Sequence, residues 1–251
     1  MVRIRQSFKR HSTQHDAAHR LPLKPLRPPT IACLFVTAIA CLTLVYCLRM
    51  GWLQVTGPAK FISSAGFLAT ALSVGAMRHA FGRMIFLGLT LSMAGDLLLL
   101  GQSQSCFLLG LSSFLVAHLA YIVAFIVYGQ NRLWAALSAL PMLLIAGSVL
   151  HWLNPFLGPG LRFPVYAYTA VITIMVIAAI GARGAGASRW LLAGALMFYG
   201  SDLSVAMQRI VMTEFPTFIW GLPLYYAAQS SIALSASRNT GGLGSKRAGS
   251  S

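Results

Sequence analysis

The sequence predicts an all-α fold, a polytopic membrane helix bundle of about eight transmembrane helices with a possible parallel internal repeat. Of the 251 residues, 57% are hydrophobic and only 9% are charged, whereas a soluble domain carries about 25% charged residues. The apolar residues stand in long blocks, which favours membrane spans. We therefore expect one transmembrane domain over residues 31–237, between a basic disordered tail at 1–30 and a flexible tail at 238–251.

Each predicted span is an apolar stretch close to the roughly 20 residues that cross about 30 Å of hydrocarbon as a helix. The spans must be helical because a chain in lipid has to satisfy its own backbone hydrogen bonds. Pro and Gly give turn character to the stretches 153–164 and 183–189. The predicted spans are 31–49, 61–77, 84–101, 106–128, 133–152, 164–182, 190–209 and 217–237.

The basic residues predict the orientation. The chain has 19 Lys and Arg against 4 Asp and Glu. With the N-terminus inside, only Arg49, Lys60, Arg162 and Arg209 face outward, and the remaining basic residues lie on inner loops and tails, as the positive-inside rule favours. We expect both termini in the cytoplasm and, if the protein is bacterial, a location in the plasma (inner) membrane. The N-terminal tail is expected to contact anionic lipid headgroups, not nucleic acid.

A weak repeat relates the two halves of the chain. Arg83 precedes Asp96 by 13 residues, and Arg189 precedes Asp202 by the same 13 residues. Both segments run from inside to outside, so at about 1.5 Å per residue the two carboxyl groups lie roughly 20 Å above the inner face. The pattern predicts that both acids share one level in the outer half of the bilayer.

Asp96 and Asp202 are the only acidic residues within the predicted spans. An isolated Asp at the centre of a span costs about 2.5–3.5 kcal/mol of insertion free energy. One interpretation is structural, a hydrogen bond or ion pair between helices. The other is functional, because acids inside the membrane commonly mark reaction or transport sites.

Further polar side chains lie on the fourth and eighth spans. His118 and Tyr121 are three residues apart and share a helix face, and Tyr225 and Gln229 share a face four residues apart. His118 also has a structural interpretation, a hydrogen bond to a neighbouring carbonyl. Lys60 precedes the second predicted span. Its side chain is expected to reach the outer headgroups, to hold a lipid phosphate, or to pair with one of the carboxylates.

Several common catalytic sites are excluded by their motifs. The chain has no GxSxG nucleophile elbow, no HExxH zinc motif and no Gly-rich phosphate loop after a strand. We expect no cofactor and no metal. What remains is a pair of carboxyl groups with His, Tyr and Gln around it.

Four stretches together resemble the YhhN-like lysoplasmalogenase family of eight-span membrane hydrolases. They are GDLLL at Gly95–Leu99, GLSSFLVAHLAYI at Gly110–Ile122, SDLSVA at Ser201–Ala206 and YYAAQSSIA at Tyr225–Ala233. The resemblance covers roughly residues 31–237. Proline often follows the lysine of that family, whereas Phe follows Lys60 here.

The resemblance implies hydrolysis of the vinyl ether bond of lysoplasmalogens to a fatty aldehyde and a glycerophospho-base, with water as co-substrate and without a cofactor. Such cleavage needs one protonated acid and one carboxylate. The paired aspartates of the family correspond to Asp96 and Asp202, and which is acid and which is base stays open. The residues that the resemblance and their placement assign to substrate binding are Lys60, His118, Tyr121, Tyr225 and Gln229.

Two other functions remain possible at this stage. A proton-coupled or lipid transporter also needs paired acids within the membrane, and a parallel repeat suits alternating halves. A membrane scaffold without catalytic activity would use its aspartates only to hold helices together. Release of aldehyde from a lysolipid would distinguish the hydrolase from both.

Overall fold

The computed structural model describes residues 26–237, and every regular element in this range is helical. This confirms the predicted fold class. Residues 1–25 of the tail predicted at 1–30, and the whole tail predicted at 238–251, lie outside the described residues, so the predicted headgroup contact stays a prediction. The eight long helices are α1 Pro28–Met50, α2 Leu53–Ser73, α3 Ala80–Leu98, α4 Gln104–Tyr128, α5 Arg132–Leu153, α6 Pro159–Gly184, α7 Arg189–Ala206 and α8 Phe218–Ser235.

Helix ends follow local chemistry. Gly51 ends α1 in the left-handed region, with φ of 74°, which glycine adopts at no steric cost. Ser103 caps α4 by accepting a hydrogen bond from the backbone N–H of Cys106. Asn131 and Ser188 cap α5 and α7 in the same manner. These caps let the connections between the spans stay short.

The outer surface of the bundle is apolar. On α5, the side chains of Leu137 and Leu140 are 69% and 66% exposed, as expected of a helix that faces lipid. Six of the helices, α1 and α3 to α7, are long and apolar enough to cross a membrane. The other two, α2 and α8, carry buried polar residues such as Ser63 and Gln229, which lowers their hydropathy. The chain is an integral membrane protein.

The helices form two similar halves. In each half the last two helices make a tight hairpin, α3 with α4 and α7 with α8, while the first helix, α1 or α5, is the least buried. Helices α2, α3, α4, α6, α7 and α8 surround the core. The residue numbers at which α2 and α6 begin, Leu53 and Pro159, differ by 106, the same offset that relates Asp96 to Asp202.

Two internal prolines explain where the predicted boundaries were wrong. Pro58 and Pro164 lie inside α2 and α6, again 106 residues apart, and the predicted spans began only after or at these prolines. A proline in the second turn removes one backbone hydrogen bond, which a membrane helix tolerates. Both helices therefore begin earlier than predicted, and Lys60 lies within α2 instead of ahead of it.

Candidate functional site

One cavity of about 810 Å³ opens among the helices at the end that the predicted topology places outside. Its wall comes from the first turns of α2, α4, α6 and α8 and the last turns of α1, α3, α5 and α7. Among the described residues, the charged side chains that line it are Lys60, Asp96, Asp202 and Arg209. The two aspartates of the membrane domain thus face one shared space.

Asp96 lies on the last turns of α3 and is 3% exposed. Lys60 Nζ lies 2.8 Å from its Oδ1 and also donates a hydrogen bond to its backbone oxygen. The hydroxyls of Ser64 and Tyr226 donate to Oδ2 over 3.0 and 2.6 Å. Both carboxylate oxygens therefore have partners, and one of them lies against the Lys60 ammonium.

Asp202 lies on α7 and is partly exposed to the cavity. The Tyr168 hydroxyl on α6 donates to its Oδ2 over 2.7 Å. Within residues 26–237 no Lys, Arg or His lies within ion-pair distance of this carboxyl group, and no hydrogen bond joins it to Asp96. The two acids share a cavity, but each has its own partners.

Beside the cavity lies a second polar layer between α3, α4 and α8. The Tyr121 hydroxyl donates to Gln229 Oε1 over 2.9 Å, and the Tyr225 hydroxyl donates to the backbone oxygen of Ser92 over 3.2 Å. Tyr225 lines the cavity, whereas Tyr121 and Gln229 are fully buried behind its wall. The layer connects the helix of Asp96 to α4 and α8.

His118 belongs to the same buried region. Its Nδ1 contacts the Phe114 carbonyl, as its structural interpretation predicted. Its ring lies 4.7 Å from the Phe198 ring and 5.3 Å from the Tyr168 ring, centroid to centroid. His118 Nε2 is buried and has no hydrogen-bond partner within the described residues. The imidazole thus supports Tyr168, which holds Asp202, and does not line the cavity itself.

The fold agrees with the comparison to known proteins. A model of the YhhN family matches residues 58–236, which is most of the described chain. The chain belongs to the YhhN family. The match includes both aspartates and the hydrogen-bonding partners described above, and of the eight described long helices it leaves out α1 and the first five residues of α2. The resemblance drawn from the sequence is confirmed.

Curated relatives in the YhhN family carry the name lysoplasmalogenase. The chain is 35% identical to lysoplasmalogenase TMEM86A of Bos taurus over 177 residues, which cover 68% of this chain and 69% of that protein. It is 35% identical to lysoplasmalogenase TMEM86A of Homo sapiens over 166 residues, 64% of this chain and 68% of that protein. It is 29% identical to the lysoplasmalogenase of Mycobacterium tuberculosis over 153 residues, 58% of each. No solved structure matches the chain.

The YhhN site differs from the sequence-based picture in the placement of Lys60. The side chain is only 10% exposed and pairs with Asp96, so of the three predicted roles the structure shows the partner of a carboxylate. Lys60 lies about two turns inside α2, not at its start.

Three partners of the aspartates were missing from the predicted site: Ser64, Tyr168 and Tyr226. Tyr168 lies nine residues into α6, about 13 Å along the helix. That depth would have distinguished it from an interfacial tyrosine if the start of α6 had been placed correctly. Tyr226 follows Tyr225 directly, and only the packing of α8 against α2 and α3 decides which hydroxyl reaches Asp96.

Proposed function

We propose that this YhhN-family protein is a membrane hydrolase that cleaves the vinyl ether bond of lysoplasmalogens to a fatty aldehyde and a glycerophospho-base. The observation that carries the proposal is the cavity that holds two carboxyl groups in different environments, one paired with a cation and one without. The names of the relatives support the substrate class. The cavity lies within the bilayer domain, where a single-chain lipid is already dissolved.

The reaction needs a proton donor and a stabiliser of positive charge. A proton added to the β-carbon of the vinyl ether turns the double bond into an oxocarbenium ion. Water then attacks the α-carbon and loses one proton, which gives a hemiacetal. Collapse of the hemiacetal breaks the carbon–oxygen bond to glycerol, releases the aldehyde and leaves the glycerol hydroxyl protonated. The net reaction consumes one water and returns the catalytic proton.

The surroundings of the two acids support a division of these roles. Asp202 has a phenol but no cation beside it, and low-dielectric surroundings without a counter-charge favour the neutral carboxylic acid. We assign it as the proton donor. Asp96 is held in an ion pair with Lys60, and we assign it as the carboxylate that stabilises the oxocarbenium ion and accepts the proton of the attacking water.

In this mechanism the other predicted site residues have roles that differ from one another. Tyr225 lines the cavity and contacts the substrate. Tyr121 and Gln229 fix the helix turn of Ser92, one turn before Asp96, through their hydrogen bonds. His118 holds Tyr168 in place by ring contact. Lys60 pairs with Asp96, so we do not assign it to the substrate phosphate.

The proposed setting keeps both termini in the cytoplasm and the cavity mouth on the outer side, in the plasma (inner) membrane if the protein is bacterial. The basic loops support this orientation. The basic N-terminal tail would then contact anionic headgroups. Accessibility of cysteines placed at the tails and at the 153–164 loop, tested with a membrane-impermeant thiol reagent in cells, checks the orientation.

The experiment that tests the function uses the purified protein and a vinyl ether lysolipid in D2O. Mass spectrometry of the product should find free aldehyde with one deuterium on the carbon next to the carbonyl. In H2¹⁸O the glycerophospho-base should carry no ¹⁸O, because water attacks the vinyl carbon and not the glycerol carbon. Asp96→Asn and Asp202→Asn should abolish aldehyde release. Glu214→Gln, an exposed acid outside the cavity, is the matched control.

The absence of aldehyde would contradict the hydrolase. Flux of protons or lipid through proteoliposomes that depends on pH, without product, would then support the transporter. Both aspartates would also line the pathway of a transporter, so the aspartate variants alone do not distinguish the two functions. Analysis of the reaction product distinguishes them.

A further inference from the structure

We propose that Arg209 binds the phosphate of the lysolipid and so sets the position of the vinyl ether at the aspartates. The proposal rests on the proposed function and names the part of the substrate that this side chain recognises. Arg209 stands on a π-helical turn, Met207–Val211, that extends α7. Such turns are frequent at functional sites.

Among the described charged residues that line the cavity, Arg209 is the cation that remains available to an anionic ligand. Of the two cations that line it, Lys60 is neutralised by Asp96. Arg209 forms no ion pair with any acid of the described residues. Its Nη2 donates to the Gly101 carbonyl over 3.2 Å, which uses one of the five N–H donors of a guanidinium. The remaining donors suit the oxygens of a phosphodiester.

The position of Arg209 matches the length of a lysolipid head. Arg209 follows Asp202 by seven residues, at most about 10 Å along the helix, and both side chains line the cavity. In a lysoplasmalogen the glycerol backbone joins the phosphate to the vinyl ether over a similar length when extended. A phosphate at Arg209 therefore places the double bond near Asp202.

The lining of the cavity is polar near Arg209 and apolar deeper between the helices. Around Arg209 its mouth is lined by the amides of Gln54, Gln102 and Gln208, all exposed. Deeper, the wall between the charged groups is apolar, with Leu111, Ile172 and similar side chains. A polar mouth and an apolar interior fit a ligand with a charged head and one hydrocarbon chain.

The contacts of Arg209 also allow a purely structural role. Besides the bond to Gly101, its guanidinium lies 5.3 Å from the centroid of the Phe107 ring, so it ties the end of α7 to the start of α4. A test must therefore separate recognition of phosphate from support of the fold. Substrates with and without phosphate make that separation.

Binding is measured first, with saturated ether analogues that no acid can cleave, so that the result does not depend on catalysis. The probes are a 1-O-alkyl-glycerophosphoethanolamine and the matching 1-O-alkylglycerol, titrated calorimetrically in a maltoside detergent, which has no phosphate. Arg209→Gln should raise the Kd of the phosphate-bearing analogue roughly ten- to hundredfold and leave the Kd of the alkylglycerol unchanged. Arg162→Gln, an exposed outer arginine outside the cavity, should change neither.

Kinetics then test the consequence for the reaction. With a vinyl ether lysolipid, Arg209→Gln should raise KM and change kcat little, and Arg209→Lys should recover part of the lost affinity. An equal loss of binding for both analogues, or no loss for either, overturns the proposal. If the wild type binds the phosphate-bearing analogue tightly but releases no aldehyde, the proposed function fails while phosphate recognition by Arg209 stands.

A final arm distinguishes the source of the phosphate. Inorganic phosphate, added as competitor, should displace the lysolipid analogue only weakly because it lacks the hydrocarbon chain. Displacement by inorganic phosphate at the concentrations at which the analogue itself binds would identify a site for free phosphate, and would overturn the assignment to a lipid head.

Discussion

Asp96 and Asp202 occupy corresponding places in the two halves of the bundle, yet their surroundings differ. Each lies on the third helix of its half, and each is held by a residue from the second helix, Lys60 on α2 or Tyr168 on α6. The first pair is an ammonium with a carboxylate, and the second is a phenol with a carboxyl group. A repeated scaffold thus supplies two acids at one cavity, and the difference between their partners supports opposite roles for them.

The largest effect on activity is expected from a substitution of Asp202, the aspartate that has no cation beside it. Asp202→Asn removes the proposed proton donor, and we expect aldehyde release to fall by about 10²–10⁴-fold, the usual contribution of general acid catalysis. Because the Asn oxygen still accepts the Tyr168 hydrogen bond, the thermal unfolding midpoint in detergent should stay close to that of wild type. Retention of full activity would remove Asp202 from the mechanism.

The corresponding change in the other half should affect stability as well as activity. Asp96→Asn leaves the Lys60 ammonium buried without a counter-charge, and breaking a buried ion pair costs about 3–5 kcal/mol. We expect a clearly lower unfolding midpoint and loss of aldehyde release. The double variant Lys60→Met with Asp96→Asn should regain the midpoint and stay inactive. If Asp96→Asn and Asp202→Asn destabilise equally, the contrast between the two halves is wrong.

Substitutions of the tyrosines that donate hydrogen bonds to the two aspartates are expected to have smaller effects on activity. Tyr168→Phe removes the hydrogen bond that orients Asp202, and we expect kcat to fall about 3–10-fold, as for the loss of one hydrogen bond of about 0.5–1.5 kcal/mol. Tyr226→Phe is the matched change at Asp96, where Lys60 and Ser64 still hold the carboxylate, so a lesser loss is expected. Steady-state kinetics of both variants side by side test this order, and the reverse order would contradict the assignment.

Much of this arrangement follows from the sequence. A charged residue within an apolar run is conspicuous, so Asp96 and Asp202 stand out without any structure, and their spacing from Arg83 and Arg189 already indicates a repeat. The fold class follows from composition. The family match confirms the family resemblance, and the link that the resemblance draws from the two acids to ether hydrolysis stays a prediction.

The partners of the aspartates were harder to predict for a physical reason. Pro58 and Pro164 look like helix boundaries, but lipid-embedded helices continue through them. The late boundaries placed Lys60 ahead of its helix and Tyr168 only four residues after the predicted start of its helix. The contact of Tyr226 with Asp96 depends on the packing of α8 against α3, which no local pattern encodes.

The central claim is that Asp202 holds the catalytic proton while Asp96 is ionised. Infrared spectroscopy of the purified protein tests it most directly, because a protonated carboxyl group has its own C=O stretching band, separate from that of a carboxylate. We predict a protonated carboxyl band in the wild type that disappears in Asp202→Asn and persists in Lys60→Met with Asp96→Asn. A band that persists in Asp202→Asn and disappears in the double variant would contradict the account.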